Sequence, residues 1–272
     1  MLFDGVLLAS DYDGTLVPSD KQVTEGVKKA VAFFIANGGR FTVSTGRTYL
    51  GFHSYSNEYI NAPVLLANGG MAYDYEAKKI AVFDGIGDEG VEPMRAVARE
   101  FPQLAIELYP FDKGFAVNLS AQSERHFTSQ SIPFQPVQDP SDAPRPWAKA
   151  MLGGTKEDIA RVQTFLAEKY PEISFIPTDG GYLEVLKKGV NKGTALLKLA
   201  DYLGIDHRHA YAVGDGYNDV DMLKAARLAF VPANGDEYAR ACADHIVRSN
   251  EEDAVAYVKE EEGIRDRKER TE

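Results

Sequence analysis

Two short acidic segments hold the residue types from which a reactive or metal-binding centre can be built. The first is Ser10-Asp11-Tyr12-Asp13-Gly14-Thr15-Leu16, directly after the apolar run Val6-Leu7-Leu8-Ala9. Two carboxylates one residue apart on a turn can both approach one centre, and Gly14 permits the tight backbone. Such a pair repels itself unless a cation, a proton or a division of labour relieves it. A helix-loop-helix calcium site does not fit, because the glycine follows the second Asp at once and a strand precedes it. The second segment is Gly214-Asp215-Gly216-Tyr217-Asn218-Asp219, directly after Ala210-Tyr211-Ala212-Val213. If both runs are strands of one parallel sheet, their carboxylates meet at the same edge. Four carboxylates converging there would require a divalent cation. An oxygen-only donor set points to a hard ion, most simply Mg²⁺. Asn218 would add a donor for an anion without adding charge.

Two more features sit at expected element ends. Phe41-Thr42-Val43 runs into Ser44-Thr45-Gly46-Arg47, which offers hydroxyls, bare backbone amides and a guanidinium, all suited to phosphate oxygens. Asn191-Lys192-Gly193-Thr194 opens a helix, where lysine charge and helix dipole both favour an anion. Taken alone, a lysine at a helix start is more often solvated, because cations prefer the other end.

The elements that must position these residues follow from hydrophobic spacing. Thr24 reads as an N-cap before Val27, Ala30, Val31, Phe34 and Ile35, and Gly38-Gly39 ends that helix. Phe41-Thr42-Val43 and Val64-Leu65-Leu66-Ala67 repeat the buried-strand pattern, giving β-α-β organisation and a parallel sheet. Near the end the grammar returns, with a helix over 194–203 stopped by Gly204, a strand at 210–213 and a helix over 218–226. Strands follow at 229–231 and 245–247, then a last helix capped by Asn250 with Asp253 in its first turn; beyond Lys259 fraying is expected. The middle reads differently: helices over 89–101 and 156–169, and strands at 104–109, 114–119, 173–177 and 182–187. That is an α+β pattern with hairpins. Pro133, Pro136, Pro140, Pro144 and Pro146 exclude a regular helix between its halves. The expected architecture is an α/β, doubly wound parallel-sheet (Rossmann-like) core formed by 1–84 and 187–272. An α+β cap domain, 85–186, is inserted into it.

Composition narrows the function classes. The chain has 272 residues, 44% apolar and 26% charged, which is ample for a core and excludes a disordered protein. Acids outnumber bases 41 to 30, for a formal charge of −11. An acidic surface argues against nonspecific nucleic-acid or anionic-membrane binding, though a metal or a few cations can reverse the sign inside a cleft. The single cysteine, Cys242, excludes an internal disulfide and a thiolate cluster, and it reads as a small buried side chain on a helix. His207 and His209 read as surface residues. The start lacks the basic region of a signal peptide, and no apolar run is long enough to span a bilayer. A cytoplasmic monomer or homodimer is expected.

In order, Asp11-Tyr12-Asp13-Gly14-Thr15, Thr45, Lys192 and Gly214-Asp215 with Asn218-Asp219 resemble the motifs of the haloacid dehalogenase-like hydrolase superfamily. Its Cof-like sugar-phosphatase branch is the closer match, through Thr45-Gly46-Arg47, Asn68-Gly69 and Lys192-Gly193-Thr194-Ala195-Leu196. The likeness covers nearly the whole chain, the inserted block matching that branch's large cap. It implies a Mg²⁺-dependent phosphatase acting on a small phosphorylated metabolite. Asp11 would be the nucleophile and Asp13 the acid and base. Asp11, Asp13 (through its backbone carbonyl), Asp215 and Asp219 would hold the metal. Thr45, Gly46, Lys192 and Asn218 would bind the phosphoryl oxygens. Asp13 disfavours dehalogenation, which has no leaving alcohol to protonate. A phosphotransferase or phosphosugar mutase on the same core, or a non-catalytic sugar-phosphate sensor, are the alternatives. The basic run Leu186-Lys187-Lys188 and the proline-rich loop 133–146 depart from the simple pattern.

Overall fold

A computed structural model describes residues 1–20, 22–178 and 181–258. In chain order the strands are β1 (Leu7–Asp11), β2 (Arg40–Ser44), β3 (Val64–Leu66), β4 (Met71–Asp74), β5 (Lys79–Phe83), β6 (Ala105–Tyr109), β7 (Gly114–Val117), β8 (Phe134–Pro136), β9 (Lys149–Gly153), β10 (Ile173–Thr178), β11 (Tyr182–Lys187), β12 (Ala210–Val213), β13 (Leu228–Pro232) and β14 (His245–Val247). The helices are α1 (Glu25–Ala36), α2 (Val91–Glu100), α3 (Ala121–Ser129), α4 (Lys156–Lys169), α5 (Lys192–Leu203), α6 (Val220–Ala225), α7 (Glu237–Arg240) and α8 (Ala254–Val258). Among the described residues no helix is long and apolar enough to cross a membrane.

The chain forms two compact units. The first comprises 1–46, 54–82 and the chain from 191 on. Its sheet runs β14-β13-β12-β1-β2-β3-β4-β5. The pairs from β14 through β3 are parallel, and β4 turns back antiparallel on β3. Alternate residues of β1 point opposite ways. Leu7 and Ala9 join a core with Leu196 and Leu199 of α5 and Met222 and Leu223 of α6. Leu8 and Ser10 point to the opposite face, and α1 and α8 pack together. This is a doubly wound α/β fold, and its layers follow from local signals. Thr24 caps α1 by accepting from Val27 N, and Gly204 closes α5 in the left-handed conformation.

The second unit comprises 47–53 and 83–190. Its sheet runs β10-β11-β9-β6-β7-β8, antiparallel except for β7 with β8. Ile106, Leu108, Leu152 and Val185 face Met94 and Val97 of α2 and Ile159, Val162 and Leu166 of α4. The proline-rich stretch supplies β8 at the sheet edge and one 3₁₀ turn, Pro140–Asp142. Residues 47–53, expected in the core domain, belong to this unit: Leu50 packs on the cluster of Tyr109, Phe127 and Ile132. Tyr49 stacks on Phe111 at 4.5 Å, and His53 Nε2 bonds the Gln130 carbonyl at 3.0 Å.

Three local readings differ from the structure. Asn250 does not cap the last helix: its side chain donates to the Val17 carbonyl, and Asp253 is left-handed before α8. Cys242 lies beyond the end of α7, only partly buried, with Sγ directed at the Tyr238 carbonyl. The helix over 218–226 begins as a 3₁₀ turn, Tyr217–Asp219. His207 is exposed as expected and pairs with Asp201 at 2.7 Å. The expected fraying beyond Lys259 lies outside the described residues.

Candidate active site

Strand β1 lies between β12 and β2, parallel to both, with Ser10 opposite Val213 and Asp11 opposite Ser44. The turns after all three strands therefore open at one sheet edge, the carboxyl-terminal edge where open α/β sheets take ligands. Asp11 closes β1, Thr45 follows β2 and Asp215 follows β12. The β3 end joins them, because Thr45 N donates to the Leu65 carbonyl at 2.9 Å and Asn68 N to the Thr45 carbonyl at 3.0 Å.

Lys192 is the first residue of α5, held there by reciprocal capping bonds between Asn191 and Thr194. Its side chain is fully buried, and Nζ donates to Asp11 Oδ1 at 2.5 Å and Asp219 Oδ1 at 2.6 Å. The solvated position that the helix dipole favours is thus outweighed by two carboxylates at hydrogen-bond distance. Asp219 Oδ2 accepts from the backbone N–H groups of Asp215 and Gly216, each at 3.0 Å. Asp215 Oδ1 accepts from Thr15 Oγ1 at 2.5 Å. Gly14, with φ +87°, lets the two acidic loops touch: a Cβ there would stand 2.6 Å from Asp215 Oδ2.

Three of the four expected carboxylates gather. Oxygens of Asp11, Asp215 and Asp219 lie within 4.8 Å of one another. Asp13 lies past the end of β1, on a turn whose Leu16 and Val17 amides close back onto the Tyr12 carbonyl, and its carboxylate is outside that group. Asn218 Nδ2 donates to Asn68 Oδ1 at 3.2 Å. Gly46 lies against the same asparagine: a Cβ on Gly46 would be 3.1 Å from Asn68 Nδ2.

Some residues at the site carry no role in the sequence reading. Asn68 had a signal in the Asn68-Gly69 pair after the third strand. Asn234 had none: its Nδ2 donates to the Gly14 carbonyl at 2.8 Å, while Asn250 N donates to its Oδ1 at 2.9 Å. Two residues on, Asp236 N donates to the Asp215 carbonyl at 2.8 Å, so one loop after β13 grips both acidic turns.

Three carboxylates here face one ammonium, and the electrostatics record the surplus. Burial pushes the Asp11 carboxyl well above its ordinary range; Lys192 pulls it down, while Asp219 and Asp215 push it further up. Burial also lifts Asp215 to about 6, with the Thr15 hydrogen bond opposing and Asp219 adding to the rise. Burial works against the charge of Lys192, but Asp11 and Asp219 more than offset it and raise its pKa. A buried, oxygen-only set with excess negative charge fits a hard divalent cation.

The family model for haloacid dehalogenase-like hydrolases matches residues 8–258. A Haemophilus influenzae protein named "Putative phosphatase" is 28% identical over 257 residues, 93% of this chain and 96% of the relative. A haloacid dehalogenase-like hydrolase from Bacteroides thetaiotaomicron superposes with a TM-score of 0.81 at 24% identity, covering 94% of this chain and 98% of that one. A subclass IIB sugar phosphatase of the same superfamily gives 0.82 at 19% identity, covering 95% and 99%. The family model spans nearly the whole described chain, and the chain belongs to the haloacid dehalogenase-like hydrolases.

Proposed function

We propose that the chain is a Mg²⁺-dependent phosphatase that hydrolyses a small phosphorylated metabolite, a sugar phosphate, through an aspartyl-phosphate. The observation that carries this reading is the Lys192 ammonium bonded to both Asp11 and Asp219 at the carboxyl edge of the sheet, with Asp215 alongside. A nucleophilic carboxylate needs a neighbour that binds the incoming anion without competing as a nucleophile, and a buried lysine does this. The relative named as a phosphatase and the neighbour named as a sugar phosphatase support the substrate class.

Asp11 and Asp215, with the Asp13 carbonyl, would hold Mg²⁺, which supplies charge neutralisation for the phosphoryl group; Asp219, both of whose oxygens already accept protein donors, would support them. In the first step an Asp11 oxygen forms a bond to phosphorus as the ester P–O bond breaks. Asp13 gives its proton to the departing alkoxide, releasing the alcohol. In the second step Asp13, now a carboxylate, takes a proton from water as the water oxygen attacks phosphorus. The acyl P–O bond breaks and Asp11 is regenerated with inorganic phosphate. Lys192, Thr45, Gly46 and Asn218 hold the non-bridging oxygens throughout. The acidic composition and lone Cys242 suit work on a diffusible cytoplasmic metabolite.

The test is phosphate release from an aryl phosphate and from a panel of sugar phosphates, with products identified. Stoichiometric inorganic phosphate is expected. An isomerised sugar phosphate without phosphate release would replace hydrolysis by mutase chemistry. Binding without turnover would leave a sensor.

A further inference from the structure

The turn after β3 holds three consecutive residues at positive φ: Ala67 at 52°, Asn68 at 50° and Gly69 at 105°. For non-glycine residues this conformation is strained, and such outliers concentrate where the surroundings use them. Asparagine tolerates it better than most, yet glycine would tolerate it better still. Backbone geometry therefore does not account for a side chain at 68. That side chain is also 2% exposed, so its amide must be matched by partners.

Its placement supplies the reason. Oδ1 accepts one N–H of Asn218 at 3.2 Å, and the side chain lies against Gly46. Its own N–H holds the Thr45 carbonyl at 3.0 Å. The residue thus touches both the Thr45-Gly46 turn and Asn218, two groups that approach the centre from different strand ends. An asparagine side chain rotates freely about its last bond. Fixing one N–H of Asn218 on an acceptor fixes the amide plane, and with it the direction of the second N–H.

We propose that Asn68 is a positioning residue for the phosphoryl group. It orients the Asn218 amide and braces the Thr45-Gly46 turn, so that both present donors to one tetrahedral oxyanion. This rests on the phosphatase reading, because it needs an anion at Asn218.

The experiment substitutes Asn68→Gly, which relieves the backbone while removing the amide. Melting temperature is expected to hold or rise. With Mg²⁺ present, calorimetric affinity for inorganic phosphate should fall roughly tenfold, the size of one lost hydrogen bond to an anion. kcat/KM on an aryl phosphate should fall by a similar or larger factor. Asn218→Ala should lose as much, and adding Asn68→Gly to it should cost little more, since Asn68 acts through Asn218. Asn68→Gly with unchanged phosphate affinity and unchanged kcat/KM overturns the proposal, as does full additivity with Asn218→Ala. Phosphate binding is read without turnover, so the two readings separate. Wild-type binding that depends on Asn68 without hydrolysis sinks only the phosphatase reading. Hydrolysis indifferent to Asn68 sinks only this one.

Discussion

Each unit buries an ionic network, and the two differ in balance rather than in burial. In the first, Asp11 and Asp219 share one lysine, and the Asp215 carboxylate gathers with them. In the second, Lys149 of β9 pairs with Glu184 of β11 at 2.8 Å. Beside that pair Glu107 receives Tyr109 OH at 2.5 Å, Ser123 Oγ at 2.7 Å and His126 Nδ1 at 2.6 Å. One carboxylate with donors on both oxygens is a closed arrangement that locks α3 onto β6. Three carboxylates gathered around one ammonium form an open one, whose negative charge the protein does not cancel. A buried cluster whose charges do not cancel is the better sign of a working site.

Substitutions at the two networks should therefore separate activity from stability. Asp11→Asn should lower kcat on an aryl phosphate at least about a thousandfold. It should leave the melting temperature unchanged or higher, since it removes a carboxylate whose burial and acidic neighbours disfavour its charge. A variant that melts early would assign Asp11 to the fold. Lys149→Ala should do the reverse, costing about 3–5 kcal/mol in denaturant unfolding because Glu184 stays buried without its cation. Pairing Lys149→Met with Glu184→Leu should recover most of that loss; failure to recover would mean that the pair does more than neutralise itself.

Smaller effects sharpen the contrast. Saturating Mg²⁺ should raise the stability of the first unit by about 2–3 kcal/mol at a hundredfold excess over Kd, and Asp215→Asn should abolish the rise. Chelation should stop turnover and added Mg²⁺ restore it. The smallest effect belongs to a surface pair of the second unit, where Arg95 grips both Asp139 oxygens at 2.8 Å. Arg95 and Ser141 hold the Asp139 carboxyl below its ordinary range. Its contribution is complete above the unfolded carboxylate pKa near 4 and disappears as pH falls through the folded value. The melting-temperature gap between wild type and Asp139→Asn should thus be constant from pH 7 to 5 and close below about 4. A gap that widens on acidification would reverse the sign.

Much of the first unit was legible because its signals are local. Short apolar runs lead into Asp11, Thr45 and Asp215, and the cap Thr24 sits where α1 begins. What was missed depends on partners far along the chain. Strand β9 buries Lys149, an unfavourable choice until Glu184 reaches it diagonally from the neighbouring strand β11. Helix α3 buries only Ser123 and Phe127, too few for a hydrophobic period to show. Lys192 is legible only as a member of the motif set, because the helix dipole alone favours a solvated lysine and its partner Asp11 lies 181 residues away. Asn234 and Asp236 brace the acidic turns through bonds that no spacing announces.

The central claim is that Asp11 takes the phosphoryl group. Asp13→Asn, which weakens the water-activating step, should accumulate the phosphorylated enzyme. Rapid quenching of that variant with an aryl phosphate, followed by peptide mass spectrometry, reads the site directly. A phosphoryl group on Asp11, absent when Asp11→Asn is added, is the expected result. A phosphoryl group on another residue, or phosphate release undiminished in Asp11→Asn, would contradict it.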